Sequence, residues 1–151
     1  MSSFWLMKSE PGTYSIDDLK KDGTTLWTGV RNYQARNFMT QMMKVGDQVL
    51  FYHSSAEPPG VAGLAQISKA AIPDPSQFDK KSDSYDPKAT KEKPIWFCVE
   101  VKFISKFPEI ISLGQLRSDK KLASMLVLKK GQRLSIQPVT ASEFQTVCKL
   151  G

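Results

Sequence analysis

The sequence predicts a single α+β domain in which a small antiparallel or mixed β-sheet, closed into a barrel, is flanked by short helices. Strand-like segments are separated irregularly by short helical segments, which does not fit a repeating βαβ pattern. Residues 95–103 alternate between apolar and other side chains, as expected for a strand with one buried face. The chain has 151 residues, the usual size of one domain, and we expect one domain over residues 1–151.

The first elements are a strand and two helices. Residues 4–8 (FWLMK) read as a strand that stops at the turn signal of residues 10–12 (EPG). Ser15 is a suitable N-cap for a short helix that ends at Gly23. A second helix is expected to begin near Asn32, because apolar residues follow it at helical spacing: Ala35, Phe38, Met39 and Met42.

Three further strands are predicted in the middle of the chain. Residues 48–53 and 61–71 are rich in residues that suit a pleated sheet, and Gly63 indicates a bulge or a close backbone approach. Residues 73–94 form a polar loop that is longer than ordinary connections, which is typical of functional or disordered loops. Residues 95–107 form the longest predicted strand.

The C-terminal part is predicted to contain short helices and one more strand. One helix opens at Ser112, and a second places Leu122, Met125 and Leu126 on a common face. Gly131 returns the chain to a strand over residues 133–139. Residues 140–143 (TASE) match a capping box, so a final helix carries three apolar residues: Phe144, Val147 and Cys148.

Charge and composition indicate a soluble protein with a polyanionic partner. The net charge is +6, and seven basic against two acidic residues make residues 111–151 strongly positive. A solvated helical face is the alternative explanation of that excess. No apolar run approaches the roughly 18 residues of a membrane span, and the N-terminus lacks the features of a secretory signal. We therefore expect a cytoplasmic protein without a membrane partner.

Several kinds of chemistry are not favoured. Cys98 and Cys148 form no Cys-x-x-Cys pattern, and His53 is the single histidine, so we expect no disulfide, metal centre or cofactor. His53 lies beside serines but lacks a nucleophile-elbow pattern, and no glycine-rich phosphate loop is present. A nuclease that uses Lys8, Glu10 and His53 remains open.

Residues 26–38 have the composition of a binding site. Trp27 and Tyr33 offer flat faces for stacking, and Asn32 carries an amide that both donates and accepts hydrogen bonds. Arg31 and Arg36 provide charge suited to phosphate. A nucleobase taken out of its stack needs these three properties: an aromatic face, hydrogen bonds to its edge, and cations for the flanking phosphates. A tryptophan buried beside an ordinary helix is the alternative.

Six motifs together resemble the EVE domain family, and they run nearly from end to end. They are residues 5–11 (WLMKSEP), 27–37 (WTGVRNYQARN), 46–54 (GDQVLFYHS), 86–88 (DPK), 93–96 (KPIW) and 131–139 (GQRLSIQPV). The resemblance implies a PUA-like β-barrel flanked by helices and related to the YTH domains that read methylated adenine in RNA. It implies, for this chain, a reader of modified bases in DNA or RNA.

The resemblance also implies positions for the site. Trp27 matches a residue of the aromatic cage, and Thr28 matches a neighbouring residue of the pocket. Ser9 matches a residue at the pocket rim, and Asn32 matches an amide near the edge of the base. We expect an aromatic residue of the long loop, either Tyr85 or Phe78, to complete the cage. Where the family usually has an arginine between Pro94 and Trp96, this chain has Ile95, which removes any phosphate contact from that position.

We also place His53 among the nucleobase contacts, with a hydrogen bond to a backbone carbonyl as its alternative. The expected phosphate contacts are four basic residues: Lys8, Arg31, Arg36 and Arg133. Arg133 is otherwise a surface cation. The predicted function is a monomeric, non-catalytic reader of a modified nucleobase in nucleic acid. The alternatives are a nuclease or base-processing hydrolase that uses Glu10 and His53, and a module that binds proteins through a shallow apolar groove.

Overall fold

The computed structural model describes residues 3–129 and 134–151, and within these ranges the chain forms six strands and four α-helices. The strands are β1 (Phe4–Ser9), β2 (Thr24–Leu26), β3 (Gln48–His53), β4 (Gly60–Pro73), β5 (Phe97–Ser112) and β6 (Ile136–Val139). The helices are α1 (Ile16–Asp22), α2 (Tyr33–Asn37), α3 (Leu113–Ser118) and α4 (Ala141–Leu150). A π-helical turn over Phe38–Met42 continues α2.

The strands form one mixed sheet in the order β2-β5-β4-β3-β1-β6. β1 and β3 are parallel, and the other neighbours are antiparallel, so the predicted α+β class with a mixed sheet is confirmed. In the part of the chain that the structure describes, β2 and β6 are the two edges of the sheet, and no hydrogen-bonded ladder between them closes it. A parallel pair needs a long crossover. Here the crossover carries α1, β2 and α2, and it returns the chain so that Ser9 lies in register with His53.

Side-chain caps fix the predicted helix starts. The Ser15 side chain accepts a hydrogen bond from the Asp18 amide, and Asp18 completes the capping box. Asn32 caps α2 through the Ala35 amide. Ser112 and Thr140 form capping boxes at α3 and α4. Such caps satisfy amide groups that have no partner within the helix, which explains why these starts are readable from the sequence.

Three predicted elements differ in detail. β5 begins at Phe97 rather than residue 95, because the Ile95 and Trp96 amides donate to Gln77 Oε1 instead of to a neighbouring strand. The predicted helix around Leu122 consists of two 3-10 turns, Lys120–Leu122 and Leu126–Leu128; apolar spacing predicted the burial of Leu122 but not the helix type. The strand predicted over 133–139 begins at residue 136 within the described part of the chain.

Two apolar cores lie on the two faces of the sheet. The first core includes Trp5, Met7 and Phe51, while the second includes Leu6 and Tyr52, as the alternation of strand side chains requires. Trp27 extends the first core beyond the end of β2, and α3 and α4 cover the second core. Among the helices of the described residues, none has the length and apolar character needed to cross a membrane.

Candidate nucleic-acid interface

A cavity of about 570 Å³ opens where β1 ends and the chain leaves β2. Its size is ordinary for a small-molecule or nucleobase pocket. Six of the predicted site residues border it: Lys8, Ser9, Trp27, Thr28, Arg31 and Asn32. Glu10 and Tyr14 also contribute to the wall.

Trp27 lies at the boundary between the first core and the cavity. It is 8% exposed, and its ring meets Phe51 edge-on at a centroid distance of 5.5 Å. Its backbone amide donates to the Val99 carbonyl at 2.8 Å, which ties the start of the cavity wall to β5. The neighbouring Thr28 is exposed. The tryptophan is thus held by the core and also borders open space.

Tyr14 is the second aromatic residue of the cavity, and the sequence prediction missed it. Its hydroxyl donates to Asp22 Oδ2 at 2.8 Å. Burial, followed by that hydrogen bond, raises the pKa of Tyr14 to about 12, so the phenol stays protonated at neutral pH. The Ser9 hydroxyl donates to the Tyr14 carbonyl at 2.6 Å and holds this residue over the end of β1. The turn signal at residues 10–12, which folds the chain back over the strand end, is the available clue.

Tyr85 and Phe78, the expected cage aromatics, do not border this cavity. Their loop is fastened elsewhere, because Gln77 Nε2 donates to the Trp96 carbonyl at 2.7 Å and the Asp86 amide donates to the Gln77 carbonyl. The placement of the loop therefore corrects the expectation that Tyr85 lies at the cavity.

Asn32 presents an amide at the cavity. Its Oδ1 accepts the Ala35 amide at 3.0 Å as the α2 cap, and the side chain is exposed. The cap uses only the carbonyl oxygen. The Nδ2 group donates to no acceptor among residues 3–129 and 134–151, which leaves its N–H groups for a ligand.

His53 does not border the cavity, contrary to the prediction. The Ile16 amide donates to His53 Nε2 at 3.1 Å, and the ring meets Phe51 edge-on. Burial lowers the pKa of His53, so the ring is neutral and its accepting nitrogen is occupied. The alternative explanation named a backbone carbonyl as the partner of His53, but the partner is a backbone amide, and the ring nitrogen accepts instead of donating. His53 and Glu10 do not converge on the cavity.

Arg31 borders the cavity, but its guanidinium is bound within the protein. Nε and Nη2 donate to the Ser84 carbonyl, Nη1 donates to the Val30 carbonyl and to Asp74 Oδ2, and Nη2 also reaches Ser76 Oγ. All five N–H groups of an arginine are used by these contacts. Arg31 thus fastens the long loop to the cavity wall, which replaces the predicted phosphate contact.

Each of the other three predicted phosphate contacts has a different position relative to the cavity. Lys8 borders the cavity, but its Nζ lies 5.9 Å from the centre of the Tyr52 ring, on the face of the second core, and burial lowers its pKa. The Arg36 guanidinium lies 4.7 Å from the Tyr33 ring and donates to the Ile95 carbonyl. Arg133 lies outside the described residues.

Asp74 is a buried anchor that the sequence prediction missed. Oδ2 accepts the Gly29 amide at 2.8 Å and Arg31 Nη1 at 3.1 Å, and Oδ1 accepts the Ser76 amide and hydroxyl. Gly29 has φ +83°, and a Cβ there would meet Ser84 Oγ at 3.2 Å, so the wall requires glycine at this point. The Asp-Pro-Ser sequence at residues 74–76 is an N-cap signature, and it is the sequence signal from which a fixed turn could have been predicted.

Within residues 3–129 and 134–151, no group of three or more His, Cys, Asp or Glu side chains is placed to hold a metal ion. Both cysteines are free. Burial raises the pKa of the Cys98 thiol to about 12.

The mixed sheet, its flanking helices and the cavity at the strand ends define a PUA-like domain. The EVE domain family matches residues 3–150, and the chain belongs to this family, which confirms the resemblance seen in the sequence motifs. Human thymocyte nuclear protein 1 is 44% identical over 168 residues, covering 99% of this chain and 74% of that protein.

Two solved structures extend the comparison. Human THYN1 in complex with 5-methylcytosine-containing DNA has a TM-score of 0.89 at 45% identity, covering 99% of this chain and 97% of that chain. The YTH domain of Zygosaccharomyces rouxii MRB1, in complex with N6-methyladenosine RNA, has a TM-score of 0.56 at 17% identity, covering 99% and 86%. The second likeness is one of fold alone.

Proposed function

We propose that this protein is a non-catalytic reader of a modified nucleobase in nucleic acid, and that the base enters the cavity beside Trp27. The observation that carries the proposal is the cavity itself, in which an aromatic side chain and an amide donor lie together at the strand ends. 5-Methylcytosine-containing DNA is the first ligand to test, because a relative at 45% identity was solved in complex with it.

The cavity has the chemistry that a single base requires. Trp27 and Tyr14 supply aromatic surface, and the Asn32 Nδ2 group supplies a donor for an acceptor on the base edge. The wall from Trp27 to Arg31 is fixed by the Val99 carbonyl and by Asp74 before any ligand arrives. A pre-formed pocket loses less conformational entropy on binding than a mobile one.

His53 supports a binding role over hydrolysis. A general base needs a free lone pair near the substrate, and His53 Nε2 already accepts the Ile16 amide outside the cavity. Glu10 borders the cavity without that histidine. We therefore propose a reader, and we propose that it acts as a monomer.

The test compares one oligonucleotide with and without a central 5-methylcytosine, as single strand and as duplex, in DNA and in RNA. We expect wild type to prefer the methylated form, and Trp27→Ala to weaken binding by about 1–3 kcal/mol through lost stacking. Tyr85→Ala is the matched control: it removes the other predicted cage aromatic, which lies away from the cavity, and should leave affinity unchanged.

Three results would count against the proposal. Equal affinity of wild type for all modified and unmodified forms would remove the reader function. A larger loss from Tyr85→Ala than from Trp27→Ala would place the base elsewhere. Strand cleavage or base release on prolonged incubation of the bound oligonucleotide would replace the reader with an enzyme.

A further inference from the structure

Tyr33 is a large aromatic side chain on the surface beside the cavity. It is the first residue of α2 and follows Asn32, which borders the cavity. The Tyr33 side chain is 61% exposed, whereas Trp27 and Trp96 are almost completely buried. The proposed base site does not use this ring.

The Tyr33 ring is held from behind by a stack of rings and guanidinium groups. It stacks on Trp96 with centroids 5.0 Å apart and an interplanar angle of 29°. Trp96 is itself fixed, because its Nε1 donates to Asp86 Oδ2 at 2.9 Å and the Arg31 guanidinium lies 5.1 Å from its ring. The Arg36 guanidinium lies 4.7 Å from the Tyr33 ring. Because the ring is already held in place, it loses little conformational entropy when another group stacks on it.

Both supports lie toward one side of the Tyr33 ring. The Arg36 guanidinium is 5.9 Å from the Trp96 ring as well, and a cation on the opposite face of Tyr33 would be much farther from Trp96. In the described part of the chain, no other ring or cation stacks on Tyr33. Its outer face is therefore an aromatic surface open to solvent.

The surroundings of the ring favour a nucleotide as its occupant. Arg36 uses three of its five N–H groups on the Ile95 carbonyl and Asn37 Oδ1, and it brings a positive charge beside the ring. An exposed aromatic face next to a cation is the combination that binds single-stranded bases in a sequence-tolerant way. Consecutive Cα atoms are about 3.8 Å apart, so the ring lies within one residue of the cavity wall and within reach of a neighbouring nucleotide.

We propose that the outer face of Tyr33 stacks the nucleobase that neighbours the read base on the same strand. This inference rests on the proposed function, since it assigns the nucleotide next to the one in the cavity. It gives the protein two stacking positions with different tasks. The cavity selects the modified base, and Tyr33 adds affinity for any base that flanks it.

The experiment removes the flanking bases and the ring in turn. One oligonucleotide carries a central 5-methylcytosine between ordinary bases; its twin carries abasic sites on both sides and keeps every phosphate. We expect wild type to bind the twin more weakly. Tyr33→Ala should lose about 5- to 100-fold in affinity for the ordinary oligonucleotide and almost nothing for the twin. Tyr33→Phe, which keeps the aromatic face, should bind both like wild type.

Tyr33→Leu keeps apolar contact with Trp96 but has no aromatic face. We expect it to show the same loss as Tyr33→Ala, and it takes the place of that variant if the alanine variant folds poorly. Equal losses on both oligonucleotides, or no loss on either, would overturn the stacking role. Preference of wild type for the methylated base over cytosine is measured in the same series. Loss of that preference would contradict the proposed function, whereas the results with the Tyr33 variants decide only the stacking role. The two proposals are therefore tested separately.

Discussion

The two faces of the sheet are completed in different ways. On the first face, buried polar side chains hold the loops at the rim of the core: Asp47, His53, Asp74 and Gln77. On the second face, α3, α4 and the 3-10 turns close the core with apolar side chains such as Leu116, Leu122 and Val147. Buried Glu143 serves there as the cap of α4, and buried Gln137 donates to the Leu134 carbonyl just before β6. The face that keeps an open cavity is the one on which more of the loops are placed by directional bonds.

The physical reason is the difference between the two kinds of force. Apolar burial is roughly proportional to area and has no direction, so it closes a surface completely. A hydrogen-bonded carboxylate fixes particular backbone amides at particular distances, as Asp74 does for Gly29. An open cavity with a defined wall needs such fixed points. We therefore expect changes on the first face to affect binding together with stability, and changes on the second face to affect stability alone.

Asp74→Ala should produce the largest effect on the first face. It leaves Arg31 without its buried partner and the Gly29 amide without an acceptor. Removing one partner of a buried ion pair costs about 3–5 kcal/mol, and the partial exposure of Arg31 places the loss toward the lower end. Urea unfolding gives the stability change, and binding of the methylated oligonucleotide should fall as well.

Leu122→Ala is the matched change on the second face. Leu122 is completely buried, and its truncation should cost about 2–5 kcal/mol. At a temperature where both variants remain folded, Leu122→Ala should bind the methylated oligonucleotide like wild type. Equal binding losses for Leu122→Ala and Asp74→Ala would show that general instability, and not the cavity wall, controls affinity.

The sequence predicted most of the elements because their signals are local. The caps at Ser15, Asn32 and Thr140 satisfy amides within three residues, and the strands follow from short-range alternation. The position of β2 at one edge of the sheet follows from its pairing with β5, and the two strands are far apart in the chain. Local patterns carry no information about that pairing.

The site was harder to predict because its side chains have two uses. Arg31 has the charge expected of a phosphate contact, yet its partners Asp74 and Ser84 lie more than 40 residues away and consume its donors. His53 looked reactive as a single histidine, but the Ile16 amide occupies its nitrogen. Composition indicates which groups a segment carries. Only the fold decides which of those groups are already bonded.

Asn32→Asp tests whether the first face reads the base edge. Aspartate is as good an N-cap as asparagine, so α2 should keep its start and the stability should change little. The amide donor is lost, and an oligonucleotide with 5-methylcytosine at the read position should lose about 1–3 kcal/mol more than its twin with an abasic site there. Binding of these two oligonucleotides by wild type and by Asn32→Asp is the measurement. Equal losses on the two would show phosphate repulsion alone and leave Asn32 as a cap.

His53→Gln tests the smallest expected effect, which is the dependence of the protein's stability on pH through a residue of the first face. Burial lowers the pKa of His53, so between its ordinary value of about 6.5 and its lower folded value the unfolded chain holds the proton and the folded chain does not. Stability should therefore decline as the pH falls below about 6.5, by at most about 1.4 kcal/mol per pH unit for one proton.

Glutamine keeps an acceptor for the Ile16 amide and does not titrate, so His53→Gln should flatten this decline. The nearby carboxylate of Asp17 does not interfere, because its hydrogen bond from Lys106 Nζ lowers its pKa, and its own contribution is lost only at more acid pH. Urea unfolding at pH 5, 6 and 7.5 compares the two proteins. Parallel curves would mean that His53 takes up its proton at the same pH in the folded and the unfolded chain, and that the Ile16 amide is not its partner in solution.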